Sequence, residues 1–159
     1  MSQLFGDYAH IIIFLHVLGA FVWVGGMIAI RVAVHPSLQE IEDVPTKLGT
    51  TLKITGRLFN LVMPFIGIIL ITALIMAIAL DGHHNSLKGI FISKEIIWSI
   101  MTLNYIYMYI RRAKAYRAFL DGDFKRAKSL VKYIPNILLP INIALGTIAL
   151  WLGISLRGY

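Results

Sequence analysis

The stretch from Leu58 to Leu80, LFNLVMPFIGIILITALIMAIAL, contains no charged side chain and decides the fold class of this chain. At about 1.5 Å of rise per residue, a helix of this length crosses a hydrocarbon core of about 30 Å. Strands of a membrane barrel would be about 10 residues long and would alternate in polarity, and this stretch does not alternate. The stretch is therefore predicted to be a transmembrane α-helix.

Three further stretches, at 8–30, 89–110 and 133–156, have a similar composition, and only the middle one contains charged residues, Lys94 and Glu95. With their ends included, the four predicted spans cover about 8–34, 57–80, 89–112 and 133–156. Residues 36–57 between the first two spans are predicted to form a surface loop or short helix. We therefore predict an all-α, polytopic membrane protein, a four-helix transmembrane bundle in which residues 1–159 form one domain.

The composition of the whole chain agrees with a membrane protein. Of the 159 residues, 58% are hydrophobic and 14% are charged, and the mean hydropathy is +0.76. A soluble domain of this size would need a much more polar surface. The chain has no cysteine, which excludes a disulfide framework, a thiolate metal site and a cysteine-ligated iron–sulfur cluster.

Basic residues are distributed unequally between the two ends of the predicted spans. Residues 31–57 contain four Lys or Arg and residues 111–132 contain eight, whereas the opposite side has only Lys88, Lys94 and Arg157. Because cytoplasmic loops are rich in Lys and Arg, both termini are predicted to lie outside. Topology and attraction to the lipid bilayer then explain the net charge of +7, and nucleic-acid binding is not needed.

Polar side chains inside the spans are the candidate functional residues, because hydrocarbon makes them costly. At 100° per residue, His16, Trp23 and Met27 lie within about 20° of one another on one face of the first span. Arg31 and His35 lie at the edge of this stripe. The alternative is that His16 hydrogen-bonds a neighbouring helix while Trp23 and Met27 serve only in packing.

A second stripe runs along the third predicted span. The residues that stay within about 40° of one line down the helix are Lys94, Trp98, Met101, Tyr105, Met108 and Arg112. Lysine near the end of a span often extends toward the interface, and Trp and Tyr often form interfacial belts. A purely structural role for this stripe therefore stays open.

His16 and Lys94 are predicted to lie at similar depths in the membrane. His16 is eight residues, about 12 Å, after Tyr8, and Lys94 is five residues, about 8 Å, after Gly89. A neutral imidazole and a desolvated amine can both bind iron, and a cationic lysine can instead hold a carboxylate. The pair is therefore a candidate metal site.

The motif around His16 resembles a known family. The segment His16-Val-Leu-Gly-Ala-Phe-Val-Trp23-Val-Gly-Gly26, followed by Arg31 and His35, is similar to the first helix of HemJ-type protoporphyrinogen IX oxidases and of the related CopD-like membrane proteins. The resemblance covers the first three predicted spans, because the next two also carry related motifs.

The related motifs of the second and third predicted spans are shorter than the motif around His16. Arg57-Leu-Phe-Asn-Leu-Val-Met-Pro64 resembles the start of the second helix in these proteins. Lys94 stands at the place of a lysine that HemJ proteins carry near the outer end of the third helix.

The resemblance implies an inner-membrane protein that binds haem b through the first-helix histidine. It also implies oxidation of a tetrapyrrole substrate, protoporphyrinogen, with electrons passed to quinone, and it makes His16 and Lys94 the catalytic pair. The resemblance and the two stripes together predict the cofactor-binding residues, which are His16, Trp23, Gly26, Met27, Arg31, His35, Arg57, Trp98, Met101 and Tyr105.

Two other functions are compatible with these residues. The first is a CopD-like copper-handling protein that uses His10, His16, His35 and methionines as ligands, and the second is a membrane scaffold without a cofactor. For haem, His10 and His16 are about 120° apart on one helix and are not expected to ligate the same iron. The second axial position is left to Lys94, to a methionine, to a second copy of the chain in a homodimer, or to no ligand.

The predicted topology can be tested with reporter fusions. A periplasmic reporter fused after Tyr159 should be active, and so should a cytoplasmic reporter inserted near Gly122, because twelve of the fifteen basic residues lie on the Gly122 side. The opposite pattern of reporter activity would place His16 and Lys94 near the inner face of the membrane instead of the outer face.

Overall fold

The computed structural model describes residues 2–80 and 88–155, and these residues form four helices and no strand. Helix α1 covers 2–39, α2 covers Val44–Ala79, α3 covers Lys88–Leu120 and α4 covers Phe124–Ser155. The predicted all-α bundle is thus confirmed. Arg157, one of the basic residues on the predicted outer side, lies outside the described residues.

Three of the four described helices are long and apolar enough to cross a membrane, namely Gly6–Gln39, Val44–Ala79 and Phe124–Ser155. Helix α3 is not apolar enough to be counted with these three, but it runs the length of the bundle beside them. Its Lys94 Nζ lies 3.3 Å from where a Cβ of Gly153 would be, near the end of α4. Its Phe119 packs against Gly49, near the start of α2. The chain is therefore a membrane protein in which α3 passes antiparallel between α2 and α4.

The helices extend beyond the predicted spans at one end of the bundle, which we call the basic end because the two basic segments meet there. Helix α1 continues through Pro36, and α2 already begins at Val44, so residues 44–57 are helical and the loop is short. Proline lacks an N–H and disturbs the normal helical hydrogen bonds. The π-helical segment Ile30–Val34, which ends two residues before Pro36, accommodates this disturbance.

Capping residues define the two turns at the basic end. Asp43 accepts a hydrogen bond of 2.8 Å from the backbone N–H of Thr46 and thereby caps α2. Hydrogen bonds from Thr46 hold the pKa of the Asp43 carboxyl below its ordinary value, because they favour the charged form. Between α3 and α4, Gly122 adopts a φ of 79°, a conformation that glycine tolerates without strain.

A cluster of aromatic rings forms the centre of the bundle. The ring of Tyr105 on α3 meets Trp23 on α1 edge-on, with centroids 6.1 Å apart, and meets Phe59 on α2 at 5.4 Å. The Tyr105 hydroxyl donates a hydrogen bond to the backbone carbonyl of Phe59. All three side chains are almost completely buried. One cluster therefore joins three helices.

Two asparagines connect α3 to α4. Asn104 donates to the side-chain oxygen of Asn142 at 2.7 Å and to the carbonyl of Leu138 at 2.9 Å. Asn142, which is fully buried, donates in turn to the carbonyl of Met101 at 3.1 Å. These bonds satisfy amide groups that would otherwise be unpaired in hydrocarbon.

Small residues allow α1 and α4 to approach closely. A Cβ added to Gly146 would lie 2.5 Å from Cγ2 of Val24 and 3.2 Å from Cε of Met101. Valine has a stiff side chain, so it cannot easily turn away. The contact between α1 and α4 therefore depends on glycine at this position.

We expect Gly146→Ala to lower the free energy of unfolding by about 1–3 kcal/mol, the usual effect of overpacking a well-packed contact. Gly67→Ala on α2 is the matched control, since a Cβ there would meet no atom within 4 Å. Unfolding in mixed micelles measures both variants. Equal stabilities of the two variants would contradict a tight contact at Gly146.

Candidate functional site

The sequence-predicted pair His16 and Lys94 lies at the end of the bundle opposite to the basic end. His16 is partly buried on α1 and faces α2, where its Nδ1 lies 2.9 Å from the hydroxyl oxygen of Thr72. Lys94 is partly buried on α3. That the two residues occupy the same layer stays a prediction from their positions along the helices.

The Thr72 hydroxyl lies near three possible hydrogen-bond partners. Its oxygen is 2.7 Å from the carbonyl oxygen of Ile68, 3.1 Å from that of Ile69 and 2.9 Å from Nδ1 of His16. The hydroxyl has one hydrogen, so when it donates to a carbonyl its oxygen accepts from Nδ1 of His16. In that tautomer of the neutral imidazole, the free lone pair lies on Nε2, the atom that can then bind a metal.

Lys94 reaches its position because α4 has a glycine opposite to it. The Nζ of Lys94 lies 3.3 Å from where a Cβ of Gly153 would stand. Within the described part of the chain, the structure gives this ammonium group no hydrogen-bond or ion-pair partner. It is thus available to hold an anion or, after loss of its proton, to bind a metal.

The packing of α3 is looser around this pair than elsewhere. None of residues 88–100 is buried, whereas five residues from Met101 onward are. One turn further along α3 from Lys94, Nε1 of Trp98 is buried without a partner, and so is the hydroxyl of Thr102. Buried donors without acceptors are uncommon. Nε1 of Trp23 in the centre of the bundle is a third such group, so an unpartnered donor here does not by itself indicate a ligand.

Four of the other predicted cofactor-binding residues belong to the protein core instead. Trp23, Met27, Met101 and Tyr105 are each at most 4% exposed and pack against other side chains of the bundle. A helical stripe of this kind serves packing and cofactor binding equally well, so periodicity does not distinguish the two roles. The structure assigns these four side chains to packing contacts between helices.

Gly26 also faces another helix. A Cβ at this position would lie 2.8 Å from Cδ1 of Leu58, so the space beside Gly26 is filled by α2. The glycine permits a close helix contact here, as the sequence alone also allowed.

Three predicted residues lie far from His16, toward the basic end. Arg31 is fifteen residues after His16 on the same helix, about 22 Å along the axis. His35 lies a further turn away, with its Nε2 3.5 Å from the amide nitrogen of Gln39. Arg57 is exposed on α2. The structure therefore does not bring these three residues together with His16.

Sequence reasoning missed Thr72, Thr102 and Gly153. Thr72 is the only hydroxyl residue between Leu58 and Leu80, and this feature of the sequence could have identified it as a candidate. Gly153 had no such signal, because its role depends on the packing of α4 against α3. In the described ranges, no group of three or more His, Asp or Glu residues is placed to hold a metal ion. The candidate site contains only one of these residue types, His16, together with Lys94, so it is not a group of this kind.

Comparison of this chain with protein-family models, with curated proteins and with solved structures finds no match. The resemblance to HemJ-type and CopD-like proteins therefore stays a prediction that rests on the motifs around His16, Arg57 and Lys94.

A double-mutant cycle can measure the bond between His16 and Thr72. We expect His16→Ala and Thr72→Val to be coupled by about 0.6 kcal/mol, the mean value for hydrogen bonds between membrane helices. Thr147→Val is the control for Thr72→Val, since the exposed Thr147 hydroxyl bonds only to the carbonyl of Ile143 on its own helix. Additive effects of the two substitutions would mean that the pair contributes no interaction.

Proposed function

We propose that this chain is an integral membrane redox protein that binds haem b through Nε2 of His16. The observation that carries the proposal is the hydrogen bond from Nδ1 of His16 to Thr72, which fixes the ring and leaves Nε2 free. Histidine ligands of metals almost always donate their second N–H in this way. A neutral imidazole is also the usual protein ligand of haem iron.

The surrounding residues fit such a group. Lys94, whose Nζ lies beside Gly153 of α4, is predicted to share the layer of His16 and would act as second axial ligand or as partner of a propionate. Trp98 and Thr102 present donors that lack acceptors, and carboxylate oxygens would supply them. When bound, haem supplies one-electron chemistry, while the protein contributes ligation, orientation and exclusion of water.

The reaction proposed for this site is oxidation of a tetrapyrrole such as protoporphyrinogen, with quinone or another membrane acceptor receiving the electrons. In this proposal His16 and Lys94 form the catalytic pair, with His16 holding the cofactor and the ammonium of Lys94 attracting an acidic substrate. The proposed location is a bacterial-type inner membrane with both termini outside. The support for this part is the motif resemblance together with the closeness of His16 and Lys94.

Absorbance of the detergent-purified protein tests the proposal. We expect a Soret band in the wild-type protein and its loss in His16→Ala, because the axial nitrogen is removed. His10→Ala is the matched control, since His10 is exposed on the same helix six residues earlier, and it should keep the band. Thr72→Val should keep the ligand but weaken haem binding about tenfold, the usual effect of losing a group that orients a ligand.

The remaining outcomes separate the alternatives. Lys94→Met should change the position of the band or the spin state, or leave haem bound in an inactive protein. An unaltered spectrum in well-folded His16→Ala protein would contradict the ligand assignment. Bound copper without a Soret band would favour the copper-handling function, and the absence of both would favour a scaffold.

A further inference from the structure

A groove of about 670 Å³ runs between α1 and α4 on the lipid-facing surface near the basic end. Its walls are apolar, with Arg31 as the charged residue among them. The apolar residues include Ile28, Val32, Pro36, Pro140 and Ala144. Such a groove has the character of a binding surface for a molecule with a long apolar part and an anionic head.

The two helices that form the groove share one local feature, a π-helical segment followed by a proline. On α1, the π-helical segment Ile30–Val34 is followed two residues later by Pro36, and on α4, Ile134–Leu138 is followed two residues later by Pro140. Proline and π-helical segments both distort a helix, and π segments are frequent at functional sites. The groove is therefore specified by the sequence of both helices.

Arg31 is a partly buried cation whose guanidinium has no hydrogen bond or ion pair in the described ranges. Two other arginines of the bundle show the contrast. Arg111 donates to the carbonyl of Leu130 and to the hydroxyl of Tyr107, and Arg112 donates twice to the carbonyl of Leu52. The Arg31 guanidinium is therefore an accessible cation without an acceptor from the described residues, and an anion from outside the bundle can bind it.

We propose that this groove binds an anionic phospholipid, with its phosphate on Arg31 and one acyl chain along the apolar walls. Arg31 lies at the end of the bundle where the basic segments meet, and anionic lipids concentrate at such a surface. A guanidinium binds a phosphate through two parallel hydrogen bonds, which suits this position. The site lies about 22 Å from His16 and does not depend on the proposed haem function.

Native mass spectrometry of delipidated protein in a neutral detergent tests this site, with phosphatidylglycerol and phosphatidylcholine of identical acyl chains as probes. We expect phosphatidylglycerol to bind more tightly, and Arg31→Gln to weaken its binding about fivefold, the ratio expected for one basic residue at an anionic surface. Binding of phosphatidylcholine should be unchanged. Lys125→Gln, at an exposed position outside the groove, is the charge-matched control and should leave both affinities unchanged.

A second variant tests the apolar part of the groove. Ala144→Leu keeps every charge but narrows the groove, so it should also weaken phosphatidylglycerol binding. Equal phosphatidylglycerol affinities of wild type and both variants would overturn the proposal. It would also fail if inorganic phosphate competed with the lipid as well as phosphatidylglycerol itself does, since the acyl chain would then contribute nothing. Loss of the Soret band in Arg31→Gln protein that still binds the lipid normally would instead assign Arg31 to the cofactor.

Discussion

Hydrogen bonding inside hydrocarbon is the constraint on which this bundle depends. A polar group that faces lipid has no water to bind, so it must find a partner within the protein. Helix α3 shows the consequence most clearly, because of the four described helices it is the one that falls short of the composition of a membrane span. Its Tyr105 bonds to α2, its Asn104 to α4 and its Arg112 to the carbonyl of Leu52 on α2. The polar face of α3 is thus the means by which it holds its neighbours.

The same constraint gives meaning to the groups that lack partners. Where a buried donor is paired, as in the two asparagines between α3 and α4, its role is structural. Nε2 of His16, the ammonium of Lys94 and the guanidinium of Arg31 are different, because the described parts of the chain show no acceptor or donor bound to them. Of the three, Arg31 also lines a surface groove. These groups are the ones on which the two proposals rest.

The sequence predicts the fold well, because hydropathy over twenty residues is a strong signal for a membrane span. It also predicts that His16 and Lys94 share a layer, since both residues are counted from the outer ends of two spans that run in the same direction. It does not separate Trp23, Met27, Met101 and Tyr105 from true ligand-binding residues. Core packing and cofactor binding both require a stripe at helical spacing, and only the contacts of each side chain distinguish them.

The helices at the basic end differ from the prediction mainly in length. The predicted first span, about 8–34, already includes Arg31, and the structure extends this helix past Pro36 to Gln39. The predicted loop or short helix at 36–57 is instead the end of α1, a short turn and the start of α2. The π-helical segment Ile30–Val34, which includes residues that line the groove, is a local irregularity that hydrophobic periodicity does not indicate.

The separation of the two proposed sites on α1 has a physical consequence. His16 and Arg31 share one helix but contact different partners, α2 at one end and the groove beside α4 at the other. Between them, Trp23 and Met27 fill the fully packed centre of the bundle. A packed core resists small displacements, so a ligand at one end does not readily disturb the other. The two sites should therefore act independently unless α1 moves as a rigid body, and that movement would have to break the contact between Val24 and Gly146.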